Sequence, residues 1–365
     1  MTRGRFAPSP TGRMHLGNVF CALLSWLSAK SKGGEWVLRI EDLDPQRSKK
    51  DYALQLMDDL QWLGLPWDGE PVWQSQRGGI YEEYLQRLTD IGLTYPCYCT
   101  RADIMATQAP HETDGRVVYK GTCRPNPPSP ITHHRSPLTV NRSPLTATTR
   151  LIVPDCTIPF TDGHYGKHDI NLAEHCGDYI IRRKDGAWAY QLAVVVDDAL
   201  MGVTEIVRGR DLLLSSPQQI HLRNLLFQST ENSVQSTEYR VQMTDDLLKQ
   251  ETDSLNATSL THQTVPLRQG DERSGGGGLT AHHSPLTVDF FHHPLLCNAE
   301  GQRLCKRDKS MDLGYLRGTG ITPQEIIGKL AYLAGLTDTT TPITPSELLP
   351  LFSWEKVPTE DIILK

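Results

Sequence analysis

The segment RFAPSPTGRMHLGNVF, residues 5–20, constrains the fold of this chain more than any other feature. A short extended run at residues 5–7 precedes two prolines. Proline cannot sit inside a helix or in a central strand, because it lacks the N–H group and has a fixed φ. An apolar stretch with helical periodicity follows, and Asn18 is the predicted N-cap of that helix. The segment therefore predicts a strand, a tight loop and a helix.

The loop of this segment has the chemistry of an anion-binding site. The start of a helix attracts negative charge, because its unpaired N–H groups and the helix dipole both favour it. Gly17 has no side chain, so a ring or a phosphate can approach the backbone closely. His15 and Asn18 can donate hydrogen bonds to phosphate oxygens. A bare His-x-Gly is more often an ordinary loop with a surface histidine, but the longer segment favours anion binding.

Two further stretches of the chain indicate a parallel sheet. In the first, residues 35–40 (EWVLRI) predict a buried strand, and helices are predicted at 51–64 and about 81–88. The acidic residues after that strand lie where open α/β sheets bind ligands. In the second, from Tyr179 onwards, we predict a hairpin through residues 184–186 and strands at 192–196 and 203–207.

A cysteine cluster follows the first of these stretches. Cys97 and Cys99 form a Cys-x-Cys pair, and Cys123 adds a distant third thiol, a set that suits tetrahedral zinc. Three buried, reduced cysteines are the alternative. Eight cysteines in 365 residues are too few for a disulfide scaffold and fit a reducing cytoplasm. We expect neither a signal segment nor a membrane span.

Composition divides the chain into five predicted parts. Residues 124–148 are rich in Pro, Ser and Thr, residues 229–288 are polar and of low complexity, and the last stretch has a helical apolar face. The net charge of −6 gives no global basic field, so a nucleic acid would need a local basic patch. The predicted parts are residues 1–96, an insertion with the cysteine cluster and a low-complexity segment (97–178), residues 179–228, a flexible insertion (229–288), and a last part that ends in a helical tail (289–365).

Five motifs in order resemble the catalytic core of the class I glutamyl-tRNA synthetases. They are RFAPSPTGRMHLGN, RIEDLDPQR, AYQLAVVVDD, GVTEIVRGRDLL and QRLCKRDKS, and apart from the insertions the match runs from residue 4 to about 335. The chain is most similar to the short branch of the family, the glutamyl-Q tRNA(Asp) synthetases. The resemblance implies an α/β fold, in which a HIGH-type, Rossmann-like nucleotide-binding domain with a parallel sheet carries a zinc-binding insertion and a short helical C-terminal tail.

By this resemblance, the opening segment and QRLCKRDKS form the ATP site. His15, Gly17 and Asn18 match the HIGH element, and Lys306 matches the lysine of the family's KMSKS-type loop. His15 and Lys306 are the predicted catalytic residues, because positive or hydrogen-bonding groups neutralise the charge that develops as pyrophosphate leaves. Arg303 and Cys305 depart from the family pattern, which has lysine and serine at these positions.

Five further residues match the glutamate contacts of the family: Arg5, Ser9, Glu41, Tyr190 and Arg208. A γ-carboxylate favours a planar bidentate partner, which Arg5 supplies, and Glu41 can pair with the substrate's ammonium group. Each of these residues has an alternative interpretation. The two arginines could form structural salt bridges, Glu41 could be a solvated carboxylate, and Tyr190 could be an aromatic residue packed in a strand.

The resemblance also implies the cofactors. Tyr119 matches a fourth metal ligand beside the three cysteines, so we expect one structural Zn²⁺ held by Cys97, Cys99, Tyr119 and Cys123. Mg²⁺ is expected to accompany ATP. Three histidine pairs, among them His292–His293, could also bind metal, but no partner ligand is evident for that pair.

The expected reaction follows from the short branch. Its members activate L-glutamate with ATP and transfer it to queuosine in the anticodon loop of tRNA(Asp), without an anticodon-binding domain, and few residues of this sequence follow Lys306. The expected partners are ATP, L-glutamate and queuosine-containing tRNA(Asp). The protein is expected to be a cytoplasmic monomer with no membrane partner. A truncated glutamyl-tRNA synthetase that charges the 3′ end and an inactive tRNA-binding paralogue are the alternatives.

Overall fold

The computed structural model describes residues 1–106, 118–119, 121–125, 147–227, 288–304 and 312–364. The predicted catalytic Lys306, its neighbour Cys305 and all but the last residue of the predicted insertion 229–288 lie outside these described residues. Most of the segment 124–148 lies outside them as well. No helix in the described ranges is long and apolar enough to cross a membrane.

The strands follow one another along the chain from Arg3 to Ile363. They are β1 (Arg3–Phe6), β2 (Glu35–Ile40), β3 (Val72–Trp73), β4 (Thr94–Cys97), β5 (Thr148–Leu151), β6 (Thr157–Asp162), β7 (Gly166–Asn171), β8 (Ile180–Arg182), β9 (Glu205–Gly209), β10 (Asp289–His293), β11 (Leu296–Cys297) and β12 (Ile362–Ile363).

Helices connect and cover these strands. They are α1 (Leu16–Ser31), α2 (Lys50–Trp62), α3 (Gly78–Asp90), α4 (Arg101–Ala106), α5 (Leu172–His175), α6 (Tyr190–Leu200), α7 (Ser216–Phe227), α8 (Leu313–Gly318), α9 (Pro323–Leu333) and α10 (Pro345–Leu348). A 3-10 helix (Arg210–Ser215) joins β9 to α7.

Seven strands form the main sheet, in the order β3-β2-β1-β9-β10-β6-β7. Every neighbouring pair is parallel except the β6–β7 hairpin. The chain moves outward from β1 to β3 on one side and from β9 to β10 on the other. The order of strands therefore switches between β1 and β9, and open α/β sheets bind ligands beside the carboxyl ends of strands at such a switch.

The predicted parallel sheet and its first crossover are confirmed. The opening segment is strand β1, a loop, and helix α1, whose apolar side chains Phe20, Leu23 and Leu27 are fully buried. Helices α2 and α3 cover the two stretches where helical periodicity predicted them. Gly64 follows α2 with φ of 75°, a left-handed conformation that favours glycine and ends the helix.

Two local predictions are wrong. Residues 192–196, predicted as a strand, belong to helix α6, whose residues from Leu192 to Ala199 are all buried. The sequence of a helix that is buried on all sides is an unbroken apolar run. Periodicity cannot distinguish such a short run from a buried strand. The N-cap of α1 is His15 rather than Asn18, which occupies the third helical position.

A small antiparallel sheet, β4-β5-β8, lies beside the main sheet and carries the cysteine cluster at the end of β4. Strands β6 and β7 fall within the predicted insertion 97–178 but belong to the main sheet. The five-part division of the chain stays a prediction. At the other end of the chain, β12 pairs in parallel with β11, so the tail returns to the segment that follows β10.

Candidate active site

A cavity of about 600 Å³ opens at the carboxyl ends of β1, β9 and β10. Its wall contains every predicted ATP- and glutamate-site residue that the structure describes. These are Arg5, Ser9, His15, Gly17, Asn18, Glu41, Tyr190 and Arg208. They come from four separate stretches of the sequence, and the parallel sheet brings them together because the ends of its strands meet at one edge.

The start of α1 forms one side of the cavity. The backbone N–H of Gly17 donates to Nδ1 of His15 over 3.1 Å, and the backbone N–H of His15 donates to Oδ1 of Asn18 over 3.1 Å. Because Nδ1 accepts a hydrogen bond, a neutral His15 carries its proton on Nε2. That N–H group is a suitable donor to a phosphate oxygen.

The His15 ring, as well as any ligand, leaves no room for a side chain at residue 17. A Cβ atom at this position would lie 2.9 Å from Cε1 of the His15 ring. A side chain at residue 17 would therefore push the imidazole out of its capping position. From the sequence, glycine was expected at residue 17 only because a ligand must approach the backbone closely. The contact with the His15 ring is a second reason.

Arg5 is buried at the base of the cavity. Its Nη1 donates to the carbonyl of Val207 over 3.2 Å, and its Nε lies 3.5 Å from a carboxylate oxygen of Asp198. Nε has no hydrogen-bond partner among the described residues. A buried guanidinium with unused donor capacity is suited to receive a carboxylate ligand.

A buried charge cluster connects Arg5 to Glu41. Oδ1 of Asp198 accepts from Nη1 of Arg39 over 2.6 Å, and Nη2 of Arg39 donates to Glu41 over 3.2 Å. Burial alone would raise the pKa of Asp198, but the guanidinium groups of Arg39 and Arg5 hold it below its usual range. Sequence reasoning assigned no role to Arg39 or Asp198. Each is a charged residue next to an apolar run within one of the quoted motifs. A charge beside a buried run was the feature of the sequence that could have indicated their role.

Glu41 follows β2 directly and is tied to the opening loop. Its backbone N–H donates to the carbonyl of Pro8 over 3.0 Å. Burial raises the pKa of its carboxyl group above the usual value, although Arg39 and Arg5 act in the opposite direction. An ammonium group placed beside Glu41 would favour the ionised carboxylate and relieve this cost.

Arg208 and Tyr190 complete the predicted glutamate-binding set. Arg208 is 4% exposed and donates to Oε1 of Gln219 over 2.7 Å and to Oγ of Ser216 over 2.8 Å. Tyr190 is the first residue of α6 and is 38% exposed at the cavity wall, so it is not the packed strand aromatic of the alternative interpretation. Ser9 is exposed in the opening loop.

The segment before the predicted catalytic loop also reaches the cavity. Arg303 forms an ion pair with Asp211 of the 3-10 helix, and both side chains line the cavity wall. Arg303 also makes a β-bridge to Cys297 of β11. The described chain stops at Leu304 and resumes at Asp312, which bridges to His15. Leu304 and Asp312, the described residues on either side of Lys306 in the sequence, therefore both lie beside the predicted ATP site.

The predicted metal ligands come together at the edge of the small sheet. The sulfur atoms of Cys97, Cys99 and Cys123 lie within 4.8 Å of one another, and those of Cys99 and Cys123 are 3.4 Å apart. Sulfur atoms of a tetrahedral zinc site are separated by about 3.8 Å, given Zn–S bonds of about 2.3 Å. In the described ranges, this is the one group of three or more Cys, His, Asp or Glu side chains close enough to share an ion.

Tyr119 lies against this group of thiols. Its hydroxyl oxygen is 3.4 Å from Sγ of Cys97 and 3.7 Å from Sγ of Cys99, and it accepts a hydrogen bond from the backbone N–H of Cys123 over 2.7 Å. The guanidinium carbon of Arg150 lies 3.8 Å from the centre of its ring. The three thiols are close enough to share a zinc ion, and the phenol oxygen of Tyr119 lies against two of them. That Tyr119 is the fourth ligand stays a prediction.

Comparison with known proteins identifies the family and the fold of this chain. The family model described as tRNA synthetases class I (E and Q), catalytic domain, matches residues 1–263. A glutamyl-Q tRNA(Asp) synthetase of Symbiobacterium thermophilum is 37% identical, over 99% of this chain and 95% of that protein. A protein of the same name from Neisseria meningitidis is 47% identical, over 62% of this chain and 72% of its own length.

The chain belongs to the class I tRNA synthetases for E and Q, in the glutamyl-Q tRNA(Asp) synthetase family. A crystal structure of a glutamate tRNA ligase from Elizabethkingia meningosepticum in complex with its amino acid has the same fold. It superposes with a TM-score of 0.68 at 23% sequence identity, over 100% of this chain and 67% of that one. The implied α/β nucleotide-binding fold with a parallel sheet is thereby confirmed. The role of each site residue stays a prediction.

Proposed function

We propose that this protein is an ATP-dependent ligase that activates L-glutamate as glutamyl-adenylate and transfers it to queuosine in the anticodon loop of tRNA(Asp). The observation that supports this most strongly is the 37% identity to a glutamyl-Q tRNA(Asp) synthetase over 95% of that relative. The cavity supports it independently, because it combines an anion-binding helix start with two buried arginines and an acidic residue.

The geometry suits the activation step. We infer that Arg5 and Arg208 bind glutamate carboxylate groups, that Glu41 binds the ammonium group, and that Ser9 and Tyr190 border the same pocket. A carboxylate oxygen of glutamate then attacks the α-phosphorus of ATP. The new P–O bond forms as the bond to pyrophosphate breaks, and pyrophosphate leaves with the electron pair. Catalysis is mainly positioning and charge stabilisation.

His15 and Lys306 are proposed to stabilise the developing phosphate charge. His15 lines the cavity at the start of α1, and we propose that its Nε2–H group donates to a phosphate oxygen. Gly17 and Asn18 hold this arrangement at the start of α1. Mg²⁺ bound with ATP would offset the charge of the phosphates, and zinc at Cys97, Cys99, Tyr119 and Cys123 would be structural.

The transfer step uses a hydroxyl of the queuosine ring. The oxygen of that hydroxyl attacks the acyl carbon of the adenylate and gives up its proton, an ester bond forms, the bond from the acyl carbon to the phosphate oxygen breaks, and AMP leaves with the electron pair. We also propose that the enzyme is a monomer and that it works in the cytoplasm, where its tRNA substrate is found.

The decisive experiment locates the transferred glutamate. Radiolabelled glutamate, ATP and queuosine-containing tRNA(Asp) are incubated with the protein, and the tRNA is cleaved into mapped fragments. Label on the anticodon fragment is expected, together with glutamate-dependent pyrophosphate exchange in the absence of tRNA. Label on the 3′ fragment would identify a glutamyl-tRNA synthetase instead. No label and no exchange would identify a protein that binds tRNA without catalysis.

A further inference from the structure

A buried histidine lies directly behind Arg208. Nδ1 of His292, on β10, is 2.6 Å from Oδ2 of Asp162, and its Nε2 is 3.0 Å from Nε of Arg208. His292 and Asp162 are at most 1% exposed and Arg208 is 4% exposed, so water cannot replace these contacts. An ionised carboxylate only accepts hydrogen bonds and an arginine only donates them. His292 is therefore neutral, with its proton on Nδ1 and a lone pair on Nε2 that accepts from Arg208.

Asp162 is itself held in place as a carboxylate. It ends β6, and the backbone N–H groups of His164 and Tyr165 donate to its Oδ1 over 3.0 and 2.8 Å. Burial would raise the pKa of Asp162, but the hydrogen bonds from His292 and from these backbone groups lower it below its usual value. The carboxylate thus selects one tautomer of His292, and the turn after β6 fixes the carboxylate.

Three hydrogen bonds to protein groups orient Arg208, and Tyr190 at the cavity wall also interacts with its guanidinium group. Nε donates to His292, while the two terminal nitrogens donate to Gln219 and Ser216. A guanidinium has five N–H groups in a rigid fork, so these three bonds leave one N–H on each terminal nitrogen. Its guanidinium carbon also lies 5.3 Å from the centre of the Phe290 ring. Without an acceptor at Nε, the plane of the fork could turn about its bond to the side chain.

We propose that His292, held in one tautomer by Asp162, is a positioning residue for amino acid recognition. It fixes the plane of the Arg208 guanidinium and so directs the remaining N–H groups toward a carboxylate in the cavity. His292 acts through Arg208 and does not itself touch the substrate. The identity of the ligand as glutamate rests on the proposed function.

Three substitutions at residue 292 separate positioning from simple core packing. The Oε1 atom of glutamine can reach the place of the imidazole Nε2 and accept from Arg208, so H292Q keeps the acceptor. In H292N, the asparagine side chain is one methylene shorter than glutamine and reaches only Asp162. H292L removes the contacts to both Asp162 and Arg208. His168 of β7 stacks on Phe160 in the same sheet, with 5.2 Å between ring centres, and lies outside the cavity wall. H168Q is therefore the matched control.

The first measurement is the affinity for L-glutamate and, separately, for ATP, by titration calorimetry of the full chain. We expect H292L and H292N to weaken glutamate binding about tenfold and H292Q to remain within about threefold of the parent. ATP affinity should change by less than twofold in all variants, and H168Q should match the parent. Equal losses in H292Q and H292L, or equal losses for both ligands, would overturn the positioning role.

The second measurement does not depend on glutamate. The Nε–H group of Arg208 should give a slowly exchanging ¹⁵N–¹H resonance, assigned by its loss in R208K. We expect this signal in the parent and in H292Q, and its loss or fast exchange in H292L. Persistence of the signal in H292L would overturn the inference. If the signal behaves as expected but the parent binds no glutamate, positioning stands and the proposed function fails.

Discussion

At the scale of single residues, the cavity is lined by buried charges that are already partly paired with protein groups. Arg5 and Arg208 each use part of their donor capacity on protein groups and face the cavity with the rest. Glu41 is paired with Arg39 from behind. Burial makes such groups sensitive to a ligand of complementary charge, because few water molecules compete with it.

Changing Arg5 to Ala should remove the predicted partner of a substrate carboxylate. Loss of one partner of a buried charge pair costs about 2–5 kcal/mol of binding. The apparent affinity for glutamate should therefore fall at least tenfold in pyrophosphate exchange, while that for ATP changes little. Arg3→Ala is the matched control, because Arg3 lies in the same strand but pairs with Glu35 outside the cavity. Equal losses for glutamate and ATP would place Arg5 outside the amino acid site.

Glutamate binding should release protons at pH values where Glu41 is protonated in the free protein. Burial raises the pKa of Glu41 in the free protein, and the ammonium group of the ligand should lower it again. Affinity should therefore rise with pH until Glu41 is ionised in the free protein, and then level off. Calorimetry in two buffers with different ionisation enthalpies measures the released protons. Release that persists in E41Q would contradict the assignment.

The same residue should show a conflict between stability and binding. A carboxyl group whose pKa is raised by folding destabilises the folded state when it is ionised, so its contribution worsens as pH rises from the unfolded pKa through the folded pKa. At neutral pH, E41Q should therefore unfold at a higher temperature than the parent while losing glutamate affinity. A lower unfolding temperature would indicate that the pair with Arg39 stabilises the fold.

At the scale of elements, we expect the stability of the small sheet β4-β5-β8 to depend on the group of thiols at its edge. Cys97 ends β4, while Tyr119 and Cys123 belong to a segment with little regular structure. Strands this short, of three or four residues each, bury little apolar surface. A metal ion that joins β4 to this segment would stabilise both.

The purified protein should contain about one zinc ion per chain. The double change C97S/C99S should abolish the metal and lower the unfolding temperature, because serine hydroxyls do not replace thiolates as zinc ligands. C176S is the matched control, since Cys176 lies outside the group. Metal analysis that finds no zinc in protein prepared without chelator would exclude the site.

At the scale of the whole molecule, the strand that follows the predicted insertion lies inside the main sheet. Strand β10 pairs with β9 through five residues and with β6 at Phe290, directly after the insertion ends. Val288 packs against the cluster formed by Val37, Val203, Ile206 and Phe290. Residues 229–287 have a polar, low-complexity sequence, so we expect them to contribute little to the core.

Replacing residues 229–287 with a short Gly/Ser linker that keeps Val288 should leave glutamate activation within a few-fold of the parent. A linker of this composition is flexible and adds no packing requirement. Pyrophosphate exchange and thermal unfolding are the measurements. A second variant that also removes Val288 should be less stable, because it exposes part of the cluster around Phe290. A fall in unfolding temperature of more than about 5 °C in the first variant would show that the insertion packs on the core.

Local sequence determined the parts of the site that depend on nearest neighbours. The prolines, Gly17 and the apolar period that follows specified strand, loop and helix, because each restricts the backbone where it stands. The predicted residues Arg5, His15 and Glu41 met at one cavity because strands in a parallel sheet end at the same edge. Cys97 and Cys99 were expected to lie close together, since side chains two residues apart share one face of an extended chain, and their thiols do lie together. That they bind a metal ion stays a prediction.

Only the tertiary structure decided which groups support that site. The apolar run at residues 192–196 has no periodicity, so its local pattern does not separate a helix from a strand. The run is part of a helix that neighbouring elements bury on all sides. Arg39 and Asp198 are 159 residues apart, and Asp162 and His292 are 130 apart, so no local pattern announces either pair. These contacts depend on the strand order, which places β2 near the end of α6 and β6 next to β10. Strand order follows from the packing of the whole chain, because each strand needs neighbours that lie far away in sequence.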